Sequence, residues 1–161
     1  MRGSQRRLAE LEELYRERWA AFARVAISIA GSVDMGRDAV QEGFARAIER
    51  RSAFRGDCPL EAWVWRIVVN TAKTAGLRAA REGAGIAVGP EEVSANGHRA
   101  SEVALWVRNL PERQRLAVFL RYWADLDYRA IAEVLEVEVG TVSATLSAAH
   151  QSLRRSVQEV E

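Results

Sequence analysis

One stretch constrains the fold more than any other part of the chain: residues 110–155, LPERQRLAVFLRYWADLDYRAIAEVLEVEVGTVSATLSAAHQSLRR. Its apolar residues recur at spacings of three and four, the period of helices that bury one face. Two short amphipathic helices meet there at a tight turn, and a longer helix follows. Ile131, Ala132, Leu135, Val137, Val142 and Leu146 form the apolar set, and Ala132 is small enough for two helices to cross closely. Gly140, Thr141 and Val142 open the last helix. This is the pattern of a helix-turn-helix, whose second helix lies in a DNA major groove. Plain helical bundles also place two small helices over a Leu/Val core, so this stretch by itself leaves both open.

The rest of the chain is helical in pattern too. Leu8, Leu11, Leu14, Tyr15, Trp19, Phe22, Val25, Ala26 and Ile29 mark one face of a long first helix, and Gly31 can stop it. Asp34 can cap the next helix, whose buried stripe is Ala39, Val40, Phe44, Ala47 and Ile48. Residues 52–59 (SAFRGDCP) form a loop turning at Gly56 and Asp57. Pro59 suits the first turn of a third helix, with Leu60, Trp63, Ile67 and Thr71 or Thr74 on one stripe, and Trp65, Val68 and Val69 widen its apolar face beyond what one side needs. Trp63 and Trp65 point to different sides of it, so one of them can be exposed; burial of both is the alternative. Residues 83–99 hold four Gly and one Pro, which makes a linker, with His98 a solvated loop histidine. Ser101 begins the second domain, Pro111 starts a helix, and Asp125 or Asp127 caps the next. The expected architecture is all-α: two small helical domains, residues 1–82 and 100–161, joined by a flexible linker over 83–99.

Composition narrows the function. A chain of 161 residues with 48% hydrophobic content can bury two small cores. Cys58 is the single cysteine, which fits a reducing cytosol; it stands beside Pro59 with no His nearby, and partial burial is its simplest role. No apolar run reaches membrane-spanning length, and Glu10, Glu12, Glu13 and Glu17 interrupt the N-terminus before any signal-peptide core. A cytoplasmic protein with no membrane insertion is expected. The net charge of +1 hides an asymmetry: residues 1–82 carry 15 Lys and Arg against 11 Asp and Glu, whereas residues 100–161 carry 7 against 9. Nucleic-acid binding would rest on the first half more than on the second. Paired carboxylates, a Cys–His set, metal-ligand spacing and a Gly-rich phosphate loop do not appear, so no catalytic residue, metal, cofactor or small-molecule substrate is expected.

Three segments, in order, resemble a bacterial RNA polymerase sigma factor of the sigma-70 family, of the small two-domain extracytoplasmic-function (ECF) type. Asp38-Ala-Val-Gln41-Glu42-Gly-Phe44-Ala-Arg46-Ala is similar to the family's D-x-V-Q-E-x-F-x-R-A segment. Phe54-Arg55-Gly56 followed by Trp63-Val-Trp-Arg66-Ile67-Val-Val-Asn70 resembles its F-R … W-x-x-R-I-x-x-N helix. Leu110-Pro111-Glu112-Arg113-Gln114-Arg115, Leu126-Asp127-Tyr128-Arg129-Ala130-Ile131-Ala132 and Val139-Gly140-Thr141-Val142 resemble its helix-turn-helix.

The resemblance implies roles. Asp38, Gln41, Glu42, Phe44 and Arg46 would dock on the clamp helices of the polymerase's large subunit. Arg55, Trp63, Arg66, Asn70, Lys73, Arg78 and Arg81 would handle the proximal promoter element, where aromatic faces stack on unpaired bases and cations track phosphates. No ATP motif is present, so opening would be driven by binding energy. The linker would thread towards the product channel, with Glu91 and Glu92 mimicking nucleic-acid charge. Arg129, Thr141, Ser143, Thr145, Ser147, His150 and Arg154 would meet the distal element. Partners would be polymerase core, promoter DNA and an anti-sigma factor.

The second domain departs from the family pattern. Its recognition helix has no Lys or Arg before Arg154, Glu138 adds an acid at its start, and Glu136 stands where the turn usually has Gly. A non-Gly residue in a left-handed turn costs roughly 1–2 kcal/mol, so a turn of another shape is expected, along with weak free DNA affinity or dependence on partners. A degenerate sigma-like protein that binds polymerase or a regulator without reading DNA is the alternative function.

Overall fold

The computed structural model describes residues 2–83 and 97–159, and the side chains of all of these except 97–101. Seven α-helices form among the described residues: α1 (Arg2–Ala30), α2 (Val33–Glu49), α3 (Leu60–Arg81), α4 (Gly97–Arg108), α5 (Glu112–Tyr122), α6 (Tyr128–Leu135) and α7 (Val139–Gln158). None is long and apolar enough to cross a membrane. The chain divides into two compact units, separated in sequence between Ala87 and Val88. Most of the expected linker, with Glu91 and Glu92, lies outside the described residues, as does the side chain of His98. The helix after it begins at Gly97, earlier than Ser101. First-turn N–H groups have no partner within a helix, so a Gly costs less there than further in.

In the first unit α1, α2 and α3 pack pairwise. Its centre is aromatic. Phe22 of α1 stacks on Trp65 of α3, with ring centroids 3.9 Å apart and planes 19° from parallel. Phe44 of α2 meets Phe22 edge-on at 5.0 Å, and Tyr15 meets Phe44 in the same way. Edge-on and offset arrangements suit the ring quadrupoles. Leu11, Val25, Ala26, Val40, Ala47, Val64, Val68 and Val69 complete the core. Leu8, Leu14, Trp19 and Ile29, expected on the apolar face of α1, are only half-buried. Two glycines let the helices close up. A Cβ on Gly36 would lie 2.4 Å from the Ile27 Cα, and one on Gly43 would lie 2.7 Å from the Val68 Cγ2.

Helix ends correct several expectations. Gly31 does end α1, with φ of 93° and its N–H on the Ile27 carbonyl. The cap of α2 is Ser32, not Asp34: the Ser32 hydroxyl accepts from the Met35 N–H at 3.2 Å. Ser32 has the extended backbone an N-cap needs, and Asp34 already lies within the first turn, where its charge suits the positive helix end. The loop after α2 opens with a short 3₁₀ turn, Arg51–Ala53. Pro59 and Pro111 sit one residue before α3 and α5, at the N-cap rather than in the first turn.

The stripe on α3 is the larger correction. Trp65, not Trp63, fills the core, together with Ala62, Val64, Val68, Val69, Thr71 and Ala72. Leu60, Trp63 and Ile67 are half-buried, and Thr74 is exposed. At 3.6 residues per turn, Trp63 and Trp65 lie about 200° apart, so burying one turns the other outward. Glu61 locks this rotation. Its Oε1 accepts from the Trp65 indole N–H at 3.3 Å and from the Arg18 Nε at 3.0 Å, which ties the start of α3 to α1.

In the second unit α5, α6 and α7 pack on one another, and α4 lies on α7. Phe119, Leu120, Ile131, Val142, Leu146 and Ala149 form its centre, while Leu135 and Val137 are half-buried. Asp127 caps α6, its Oδ1 accepting from the Ala130 N–H at 2.8 Å. The turn into α7 keeps the left-handed shape despite Glu136, at φ 55° and ψ 47°. The expected change of turn shape does not occur. Two backbone bonds hold it: the Glu136 N–H donates to the Ala132 carbonyl, and so does that of Val137, at 3.0 Å. The substitution Glu136→Gly relieves the crowding of a Cβ in this region. It should raise the denaturant midpoint of the second unit, by about 1 kcal/mol of stability; an unchanged or lower midpoint would show that the Glu136 side chain stabilises the turn.

Candidate functional site

Three surfaces carry the residues singled out from the sequence. The first is the outer face of α2. Asp38, Gln41, Glu42 and Arg46 are all exposed there. Arg46 pairs with Glu42 one turn earlier and also reaches the Thr71 hydroxyl of α3 at 3.4 Å. Phe44 is different: it is 4% exposed and packed between Tyr15 and Phe22, so it is a core residue and not a free anchor. Beside this face α1 and α2 leave a cavity of about 440 Å³, lined by Leu11, Glu12, Tyr15, Arg16, Gln41, Phe44, Ala45 and Ile48. Phe44 forms part of its apolar lining and Gln41 part of its polar one.

The second surface is α3 with the loop before it. Trp63, Arg66, Asn70, Lys73 and Arg81 follow spacings of three, four, three and eight, which puts them on one stripe away from Trp65. Asn70 and Arg81 are exposed; Trp63, Arg66 and Lys73 are half-buried. Arg78 is exposed but turned off the stripe by about 60° or more. Arg55 is exposed in the loop. Two residues were missed in the sequence. Phe54 packs on Trp63 with centroids 5.3 Å apart and planes at 46°, making a two-ring platform at the start of the stripe. Leu77 lies on the same stripe and is 60% exposed. An exposed leucine between Lys73 and Arg81 was legible only once the stripe had been centred on Trp63 rather than on the core.

The third surface is the outer face of α7. Ser143, Ser147 and Arg154 are exposed and aligned, and they share the face with Gly140, Ala144 and Gln151. Thr141 and Thr145 are half-buried on one flank. His150 is half-buried on the other, where its Nε2 is hydrogen-bonded to the Tyr122 hydroxyl at 2.6 Å. That bond joins α7 to the end of α5 and withdraws His150 from the outer face. Gln151 was not among the residues expected to meet DNA, yet its side chain is the longest on the face before Arg154. Arg129 is exposed on α6. Among the described residues no group of three or more His, Cys, Asp or Glu is placed to hold a metal ion.

Comparison with known proteins decides the family. The model for sigma-70 region 2 matches residues 14–82, and the model for sigma-70 region 4 matches residues 102–153. The chain belongs to the sigma-70 family. The ECF RNA polymerase sigma-E factor of Escherichia coli (strain K12) is 30% identical over 139 residues, covering 75% of this sigma factor and 73% of that one. The protein of the same name from Haemophilus influenzae is 31% identical over 139 residues, covering 75% and 74%. They place this sigma factor in the ECF group. Its fold is similar to that of CnrH in complex with the cytosolic domain of CnrY, at a TM-score of 0.76 and 21% identity, covering 99% of this chain and 95% of that one. It is also similar to the sigma factor RpoE of Bartonella quintana, solved with the anti-sigma factor NepR, at 0.70 and 20%, covering 91% and 98%.

The two tryptophans of α3 should separate in a stability measurement. Trp65→Ala empties the centre of the region 2 unit and should cost about 3–5 kcal/mol. Trp63→Ala removes a half-exposed ring and should cost under about 1.5 kcal/mol. Chemical denaturation of both variants checks this, and equal losses would place Trp63 in the core.

Proposed function

We propose that this sigma factor directs RNA polymerase core to its promoters and opens them at the proximal element. The observation that carries this is the α3 stripe: an aromatic pair, Phe54 and Trp63, followed by Arg66, Asn70, Lys73 and Arg81 on a single outward face. Aromatic planes hold unpaired bases, at about 1–3 kcal/mol per base. Arginines and lysine beside them hold the backbone of the same strand. Arg55 extends the platform from the loop and Arg78 its edge. Opening draws on binding energy, and the protein acts without catalysis.

Polymerase is held by the outer face of α2, through Asp38, Gln41, Glu42 and Arg46, with Phe44 shaping the surface from beneath. A mix of carboxylate, amide and guanidinium over an apolar floor gives an interface its specificity. The distal element is met by α7 and Arg129. Ser143, Ser147 and Gln151 offer base-edge hydrogen bonds, but Arg154 is the first cation along α7. Distal affinity is therefore weak and leans on the polymerase. One structural neighbour, RpoE, was solved with an anti-sigma factor bound, and control of this sigma factor by an anti-sigma factor in the cytoplasm is consistent with it. The match of both sigma regions argues against a degenerate protein that has lost promoter reading.

Run-off transcription with core polymerase on a promoter library tests the proposal. Initiation at one defined sequence is expected; polymerase binding without initiation on any promoter would contradict it. On a promoter so found, Trp63→Ala should impair open-complex formation about fivefold or more while leaving polymerase binding within about twofold, in keeping with the loss of one stacked base. Equal loss of both would assign Trp63 to packing.

A further inference from the structure

We infer that the first turns of α1, together with the 3₁₀ turn after α2, form an arginine platform that holds the DNA backbone next to the proximal element. This rests on the proposed function of the α3 stripe and extends its surface. The region 2 match begins at residue 14, so Arg2, Arg6 and Arg7 lie before it. Arg7 is tied down. The Arg7 Nη1 donates to the Arg51 carbonyl at 2.9 Å, and the Arg51 Nε donates to the Ser4 hydroxyl at 2.9 Å. Arg51 Nη1 also donates to the Ile48 carbonyl at 2.6 Å. Two arginines thus stitch the start of α1 to the end of α2.

The stitch leads to the aromatic platform. The Arg7 guanidinium carbon lies over the Phe54 ring, 5.3 Å from its centroid, and Phe54 packs on Trp63. A guanidinium over an aromatic face is held by the ring quadrupole. Around this tethered pair stand three exposed arginines: Arg2 and Arg6, one turn apart on α1, and Arg50 at the end of α2. Arg6 pairs with Glu10 at 3.0 Å, but its side chain is 83% exposed. Such a pair in water is weak and can be exchanged for a phosphate. Two bound arginines, one of them over the Phe54 ring that packs on Trp63, fix the position, and three exposed ones supply charge. The exposed members of the cluster, Arg2, Arg6 and Arg50, are all guanidinium groups, which meet the phosphates of a polyanion directly. The strand whose bases stack on Phe54 and Trp63 has its phosphates within that row.

The experiment uses holoenzyme, assembled from the full chain and core polymerase, and a fork-junction DNA carrying a promoter selected from a library. Binding is measured across salt concentrations for wild type, for the Arg2→Gln/Arg6→Gln/Arg50→Gln variant and for the corresponding Lys variant. Each lost phosphate contact removes about 0.7–0.9 from the slope of log K against log salt. The Gln variant should show a slope shallower by about 2 and roughly tenfold or more weaker binding at moderate salt. The Lys variant should keep most of both, since an ammonium also tracks phosphates as a point charge. All three substituted residues are exposed, so circular dichroism should show an unchanged melting temperature. Unchanged slope and affinity in the Gln variant would overturn the platform while leaving the proximal-element function intact. A loss seen in polymerase binding instead of DNA binding would also overturn it and assign the cluster to polymerase. Failure of wild type to initiate on any library promoter would overturn the proposed function and the platform with it.

Discussion

The stack of Phe22 on Trp65 fixes everything that matters about the first unit. A helix with apolar residues around most of its girth, as α3 has, could bury any of several faces. Placing the larger ring against α1, and hydrogen-bonding its indole N–H to Glu61, selects one. The opposite side then has to carry Trp63 and the polar residues at helical spacing from it. The outward aromatic is thus a consequence of the inward one. Gly36 and Gly43 serve the same end, since a Cβ at either would push α2 away and loosen the cage around Phe44.

The second unit solves a different problem. Its helix-turn-helix holds a left-handed glutamate where a glycine would be easier, and the backbone bonds of the turn keep the shape regardless. His150, which a count of polar residues on α7 would give to DNA, is bonded to Tyr122 and braces the helix against α5. What remains on the outer face is uncharged until Arg154, and small except for Gln151. The two units therefore differ in surface: cations gather on the first beside the half-buried Phe54 and Trp63, whereas short polar side chains dominate the outer face of α7 in the second.

Much of this was legible in the sequence, because spacings of three and four survive any choice of partner. Six of the seven described helices follow from them, as does the stop at Gly31, while α4 is expected only as the start of the second domain and Asp127 only as one of two candidate caps. What failed were choices between neighbours of similar chemistry. Ser32 and Asp34 both make good caps, and the backbone path rather than the residue type picked Ser32. Trp63 and Trp65 are equally apolar, and only the identity of the ring facing them, Phe22, decides between them. Phe44, by contrast, lies in the core, as its place on the expected buried stripe of α2 implied. Contacts between distant segments, such as Arg7 with Arg51 and Phe54, leave no periodic trace at all.

The division of labour between the units can be measured directly. Holoenzyme binding would be followed across salt concentrations on two DNAs, one presenting only the proximal element with its non-template strand unpaired, the other only the distal element as duplex. The charge layout predicts a steep dependence on the first and a shallow one on the second, with a slope no larger in size than about 3 for the few cations near α7. A steeper dependence on the distal duplex than on the proximal fork would contradict it.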